Sequence, residues 1–409
     1  MKKEVKLIIF IFSVCVLLLC AVLTIRNSNV NGKIVSPYSS SSDIFSFFIK
    51  THAKPKKIIY GYLPWWSLEQ IKYLQLDRLT NIAYFGLYLN ADGTFTTTTI
   101  GEDGSTIREP GYDRWQNSKD LKNLINKCNQ AGVRFALTIV SHIDKDNDDF
   151  LNCRTCWDTF LTNLKKELDS KGIKDVNLNF EHAEATVDGI PQKFSEFTKF
   201  LNDELDKTYG DSFLVVSAFG DSTTQARVSS DLNNLGRDAD GIFIMAYDYH
   251  RPESETVGPV SPVEGNGESN VTKTITDFLT KVPPNKIILG IPYYGYNWLV
   301  ENSDMYAKRI PGSDANGFSA SQTYESVLNT ILEVDPEIKW NEDGKSPYFT
   351  YTDEDTGQLR TVYYENVDSL KAKYDLVNKY NLGGAGIWAL GYDGGYKELW
   401  DLLYKQFIK

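Results

Sequence analysis

The segment Asp175-Val-Asn-Leu-Asn-Phe-Glu181 holds the most pointed chemical pattern in the chain. Side chains alternate between faces along an extended strand. Asn177, Asn179 and Glu181 therefore share one face, and Val176, Leu178 and Phe180 share the other. Two amides and a carboxyl facing inward are costly to bury unless each finds hydrogen-bond partners. A carboxyl at a strand end can give and take a proton during bond cleavage. A polar network that only fills an interior is the plainer alternative. A second pattern, Met245-Ala-Tyr-Asp-Tyr249, sets the phenol of Tyr247 beside the carboxylate of Asp248, although an Asp there also suits a simple turn. A third, Gly383-Gly-Ala-Gly-Ile-Trp-Ala-Leu390, surrounds Trp388 with small residues, which suits an indole flooring a pocket or one packed in a core.

These segments sit in a repeating frame. From Lys57 onward, short β-rich apolar runs alternate with amphipathic stretches, the signature of βαβ units and a parallel sheet. The runs cover 58–62, 79–85, 133–139, 176–180, 213–217, 241–245, 286–291 and 386–390. Helix-like segments cover 118–131, 157–171, 191–208, 271–281 and 367–380. Eight strands with intervening helices predict a (β/α)8 TIM barrel over 57–409, an α/β fold whose active site lies at the C-terminal strand ends. Glu181, Tyr247, Asp248 and Trp388 would meet there. A long gap separates the last two runs. Within it, 348–352 and 359–364 flank Asp353-Glu-Asp-Thr-Gly357 and predict a β-hairpin in a small α+β insertion over about 300–365.

The chain has 409 residues, 42% hydrophobic and 24% charged, which fits a globular protein of this size. A formal net charge of −11 argues against nucleic acid as a partner, because phosphate binding needs a basic surface. The 8 Trp, 24 Tyr and 21 Phe supply faces that can stack on sugar rings, though most aromatics in any protein are core. Lys2, Lys3 and Lys6 precede an apolar run from Leu7 to Leu23 and Arg26 follows it. Residues 1–25 thus read as a cleaved signal peptide or a single-pass signal-anchor, with 26–56 as a linker. Either reading exports the domain, to a membrane-anchored or a secreted location. Cys153-Arg-Thr-Cys156 could close a small disulfide in an oxidising compartment, and the pairing of Cys128 stays open. With four His in the chain, neither a metal nor an organic cofactor is expected. A monomer is expected.

Taken together, the motifs resemble glycoside hydrolase family 18, the chitinases and their relatives, over residues 57–403. The family's fourth-strand motif, DxxDxDxE, ends here in Asn177-Leu-Asn-Phe-Glu181, and its sixth-strand motif is matched by Met245, Tyr247 and Asp248. Gly290-Ile-Pro-Tyr-Tyr-Gly-Tyr-Asn-Trp298 looks like the seventh-strand segment, with Tyr296 where Arg is frequent. Gly258-Pro-Val-Ser-Pro262 and Ala389-Leu-Gly-Tyr-Asp393 look closest to bacterial cell-wall and spore-associated members. The resemblance implies hydrolysis of a glycan containing β-linked N-acetylglucosamine, peptidoglycan or chitin-like, through attack of the sugar's own acetamide carbonyl. It implies Glu181 as general acid and base, Tyr247 and position 179 at the acetamide, and Asp248 and Trp388 as sugar contacts. Asn177, Tyr62 and Trp298 are further substrate-binding candidates. The alternative is a catalytically weak or inactive, lectin-like binder of the same fold.

The departures carry expectations of their own. Lys174, Asn177 and Asn179 stand where the resemblance has Asp. An Asn at 179 can still accept an acetamide N–H but cannot offset positive charge on the ring, so a reduced rate is expected. Without a like charge beside it, Glu181 should lose its proton at lower pH, and the basic limb of activity should fall early.

Overall fold

The computed structural model describes residues 54–182, 186–265 and 269–409. Eight parallel strands close into a barrel: β1 (Ile58–Pro64), β2 (Asn81–Tyr88), β3 (Arg134–Ser141), β4 (Asp175–Phe180), β5 (Leu214–Phe219), β6 (Gly241–Met245), β7 (Ile287–Pro292) and β8 (Gly384–Trp388). Each strand pairs with its neighbours in chain order, and β8 closes on β1 with Ile58 opposite Gly384. The (β/α)8 barrel expected from the alternating runs is the observed architecture.

Alternation along each strand sorts the barrel into two apolar regions. Outward residues such as Ile59, Leu137, Leu178, Ile244 and Ile387 pack on the helices in the main core. Inward residues, among them Tyr60, Tyr62, Phe85, Val215, Phe243 and Ile288, fill the barrel itself. The Phe243 ring explains the small residues of β7 and β8. A Cβ on Gly386 would lie 2.0 Å from it, and one on Gly290 2.3 Å. Gly386→Ala is therefore expected to overpack the barrel and cost about 1–3 kcal/mol, read as a lower denaturation midpoint. An unchanged midpoint would show that the Phe243 ring can move aside.

The strand leading to Glu181 is anchored at its base. Helix Arg154–Lys171 stops at Gly172, whose left-handed φ of 64° turns the chain into β4 without the penalty a Cβ would add. At the base of β4, Arg134 donates two hydrogen bonds to Asp175, at 2.7 and 2.5 Å. Cys153 and Cys156 form a disulfide at the start of the same helix. Cys128 is a free thiol, fully buried, and burial pushes its pKa up to about 12.

Between β7 and β8 lies a five-stranded antiparallel sheet, in the spatial order 320–323, 294–299, 359–363, 346–352, 339–341, with helix Tyr324–Val334 beside it. Thr352 pairs with Leu359 across the 353–358 turn. The sheet begins at Tyr294 rather than near residue 300. The segment 290–298, which resembles the family's seventh-strand segment, spans two strands: β7, expected over 286–291, ends at Pro292, and Tyr294–Leu299 opens the insertion. A continuous apolar run offers no change of period to mark such a boundary. Helices 110–117, 144–152, 232–238 and 398–407 were not among the expected segments. Asp144–Asn152 shows why, since its sequence is mostly acidic and polar, with Phe150 and Leu151 buried near its end. No helix among the described residues is long and apolar enough to cross a membrane. The apolar run 7–23 and nearly all of the 26–56 stretch lie outside the described residues.

Candidate active site

The C-terminal ends of the barrel strands surround a cavity of about 600 Å³. Glu181, Asn179, Tyr247, Asp248, Trp388 and Tyr62 all line it, although they come from β4, β6, β8 and β1. This end-of-strand convergence is where TIM barrels assemble sites from distant segments.

Glu181 follows β4 directly, and its side chain is 29% exposed. Its backbone N–H donates to Ser141 O at 2.9 Å, and its carbonyl accepts from Asn147 Nδ2 at 3.0 Å. Asn147 also donates to Ser141 O, so one amide ties β3 to the residue after β4. The carboxyl faces His142, whose Nε2 lies 3.4 Å from Glu181 Oε1 and 2.6 Å from Asn179 Oδ1. Burial pushes the Glu181 pKa up, but the hydrogen bond and charge of His142, together with Asn179, outweigh it, and the net direction is down. For His142, burial works downward, Glu181 outweighs it, and the imidazole's pKa is raised.

Tyr247 keeps its proton, because burial first and the nearby Tyr62 and Asp248 next push its pKa far above the usual phenol value. It is a neutral O–H donor throughout the working pH range. Asp248 adopts a left-handed φ of 61°, which Asp tolerates better than most residues. Tyr294 and Tyr296 both donate to its Oδ1, at 2.5 and 2.7 Å. Burial pushes the Asp248 carboxyl up while these two phenols pull it down, and burial prevails. Tyr296, at the position where the resemblance favours Arg, is thus part of a phenolic clamp. The cation nearby is Arg251, whose Nε donates to Asp248 O at 3.2 Å.

Trp388 stands among aromatic edges, 4.8 Å from Phe85 and 5.4 Å from Tyr62 between ring centroids. Trp66 extends this wall to the rim and is 46% exposed. A cleft with an aromatic wall, one mobile proton, a fixed neutral donor and an anchored carboxylate can hold a sugar and protonate a bond to it.

Two expected contacts lie elsewhere. Asn177 is fully buried beneath the cleft floor, where its Nδ2 donates to Val215 O and Ser217 Oγ, and Tyr62 hydrogen-bonds the same Ser217. It does not line the cavity, and through Ser217 it is joined to Tyr62, which does. Trp298 is also fully buried, packed against Tyr296 in the insertion, with Nε1 donating to Arg251 O. It braces the loop that holds Arg251. Sequence reasoning missed His142, Arg251, Trp66 and Tyr294. The signal for His142 was present: it is one of four His in the chain and lies three residues past the third β run.

The sequence matches the family model "Glycosyl hydrolases family 18" over residues 58–393. Among curated relatives, the cortical fragment-lytic enzyme of Bacillus subtilis is 24% identical over 264 residues, covering 63% of this chain and 55% of that protein. This chain spans about half the length of the first such relatives. Among solved structures, the Bacillus megaterium spore cortex-lytic enzyme SleL superposes with a TM-score of 0.68 at 18% identity, covering 87% of this chain and 75% of that one. The Ostrinia furnacalis group IV chitinase gives 0.71 at 18% identity, covering 86% and 98%. These superpositions bear on the fold, and the family match spans β1 to β8. With the barrel, the strand-end acid and the sixth-strand Tyr-Asp pair in place, the chain belongs to glycosyl hydrolase family 18.

Proposed function

We propose that this chain hydrolyses glycans containing β-linked N-acetylglucosamine, with retention at the anomeric carbon. The observation that carries this reading is the gathering of Glu181, Tyr247, Asp248 and Trp388 in one cleft from three separate segments. Glu181 protonates the glycosidic oxygen while the sugar's acetamide carbonyl attacks its own anomeric carbon. Tyr247 donates to that carbonyl oxygen, and Trp388 stacks beneath the ring. Water then opens the oxazolinium intermediate, with Glu181 taking its proton.

Asn179 orients the acetamide through its oxygen but supplies no negative charge. One missing contact of that kind costs roughly 10²–10³ in rate, so a modest turnover is expected. The names of the cortical fragment-lytic relatives favour peptidoglycan over chitin as substrate. Export through residues 7–23, as a membrane anchor or a cleaved signal, would place the domain beside that polymer.

The test is to incubate the exported domain with N-acetylchitooligosaccharides and with peptidoglycan and to analyse the products by mass spectrometry. New reducing ends at N-acetylglucosamine in one or both support the reading. Binding without cleavage in both would replace it with a lectin-like function.

A further inference from the structure

In the resting cleft the expected general acid sits beside a base. As an imidazolium, His142 has one hydrogen to give from Nε2, and two oxygens lie within its reach: Asn179 Oδ1 at 2.6 Å and Glu181 Oε1 at 3.4 Å. The imidazole is held by neighbours rather than hanging free. It follows the last residue of β3, and its ring stands 6.3 Å from Phe85 and 6.4 Å from Tyr88. It occupies the ground beside Glu181 where the sequence, having Asn at 177 and 179, supplies no carboxylate.

We infer that His142 is a positioning residue that stores the catalytic proton. Its Nε2–H orients Asn179 in the resting state and passes to Glu181 Oε1 when a glycan is bound. This deepens the proposed hydrolysis and rests on it. The proton balance is as follows. In the resting pair, His142 is an imidazolium and Glu181 a carboxylate, which share one titratable proton. That proton moves from Nε2 to Oε1, then to the glycosidic oxygen as its bond to the anomeric carbon breaks and the acetamide oxygen bonds to that carbon. In the second half, water attacks the anomeric carbon as that carbon's bond to the acetamide oxygen breaks, and the water's proton goes to Glu181 and back to Nε2. Nothing is consumed except water.

The opposite pKa shifts of the two groups agree with this assignment. His142 is the main cause that lowers the Glu181 pKa, so in the resting pair the shared proton sits on the imidazole and the carboxyl is ionised. Sharing the proton with an imidazole moves the loss of activity from the carboxyl's titration to that of the raised His142. Other groups facing the pair are Tyr88 on β2, Tyr62 on β1, His182 beside Glu181, Tyr247, Asp248 and Arg251 after β6, and Arg227 after β5. Arg227 is already paired with Asp221 at 2.7 Å, His182 lies 3.4 Å from Asp148, and the phenols stay neutral, while Asp248 and Arg251 exert opposed influences.

The sign follows directly. The active form holds one proton on the pair. Activity is retained up to the raised His142 pKa and lost above it, instead of fading above the ordinary carboxyl range. This reverses the early basic limb expected from Asn179 alone. In His142→Gln, which keeps a donor for Asn179 but cannot titrate, the alkaline midpoint should drop by at least about one pH unit. With no imidazole to hold the proton, the ratio of variant to native kcat/KM should fall as pH rises from 5 through 7. The loss at pH 5 should be about tenfold or less. An equal loss at every pH would overturn the proton-storing role.

A readout independent of turnover is the NMR titration of the His142 imidazole in the native protein and in Glu181→Gln. A midpoint that falls by about one unit when Glu181 is neutralised supports the pair, and an unchanged midpoint overturns it. If the pair titrates together but no N-acetyl glycan is cleaved, the hydrolase reading fails, and with it the destination of the proton, while the coupling itself stands.

Discussion

Glu181→Gln is expected to lower kcat by about 10²–10⁴-fold on any N-acetylated oligosaccharide the native protein cleaves, with binding preserved. The substitution keeps volume and shape at a residue whose backbone is pinned by Ser141 and Asn147, so the fold has little reason to change. What disappears is the proton. An amide cannot protonate a glycosidic oxygen or take a proton from water, so both halves of the reaction lose their partner. The measurement is kcat on a chitooligosaccharide together with the affinity of the variant for the same ligand by calorimetry. Retained turnover would move the acid role away from β4.

Tyr247→Phe is expected to cost about 10²–10³ in kcat with a much smaller change in KM. The phenol is held neutral by burial, so it offers an O–H to the acetamide oxygen at every working pH. That hydrogen bond is worth most once the carbonyl oxygen has begun to bond the anomeric carbon. Removing one hydroxyl leaves the ring and its packing. The two effects separate in a kinetic split: loss confined to KM would make Tyr247 a ground-state sugar contact and nothing more.

The barrel was legible because its alternation is written twice, in the runs and in the faces of each run. Val176, Leu178 and Phe180 had to face helices, which sent Asn177, Asn179 and Glu181 inward. Depth was not legible. Period two separates inside from outside but does not tell the floor from the layer below it, and Asn177 falls in that lower layer. Trp298 was misplaced for a related reason. A Trp in an aromatic strand reads the same on either face, and only the pairing of Tyr294–Leu299 with Leu359–Tyr363 shows which side is covered. His142 and Arg251 escaped because neither lies in a motif; each reaches the cleft from the residues just past a strand end. Their roles depend on distances between segments far apart in sequence, which no local spacing records.

The clamp on Asp248 adds a side-chain link to the backbone bridge, Thr256 opposite Lys308, that joins the loop after β6 to the insertion. The carboxylate belongs to the loop after β6, while both phenols that hold it belong to the first strand of the insertion. Trp298, two residues beyond Tyr296, grips the same loop through Arg251 O. An evolving lineage therefore could not trade this insertion for another, or trim it to a short turn, without leaving a buried carboxylate bare at the cleft. Chimaeras that join one relative's barrel to another's insertion should therefore be built with both Tyr positions kept with Asp248.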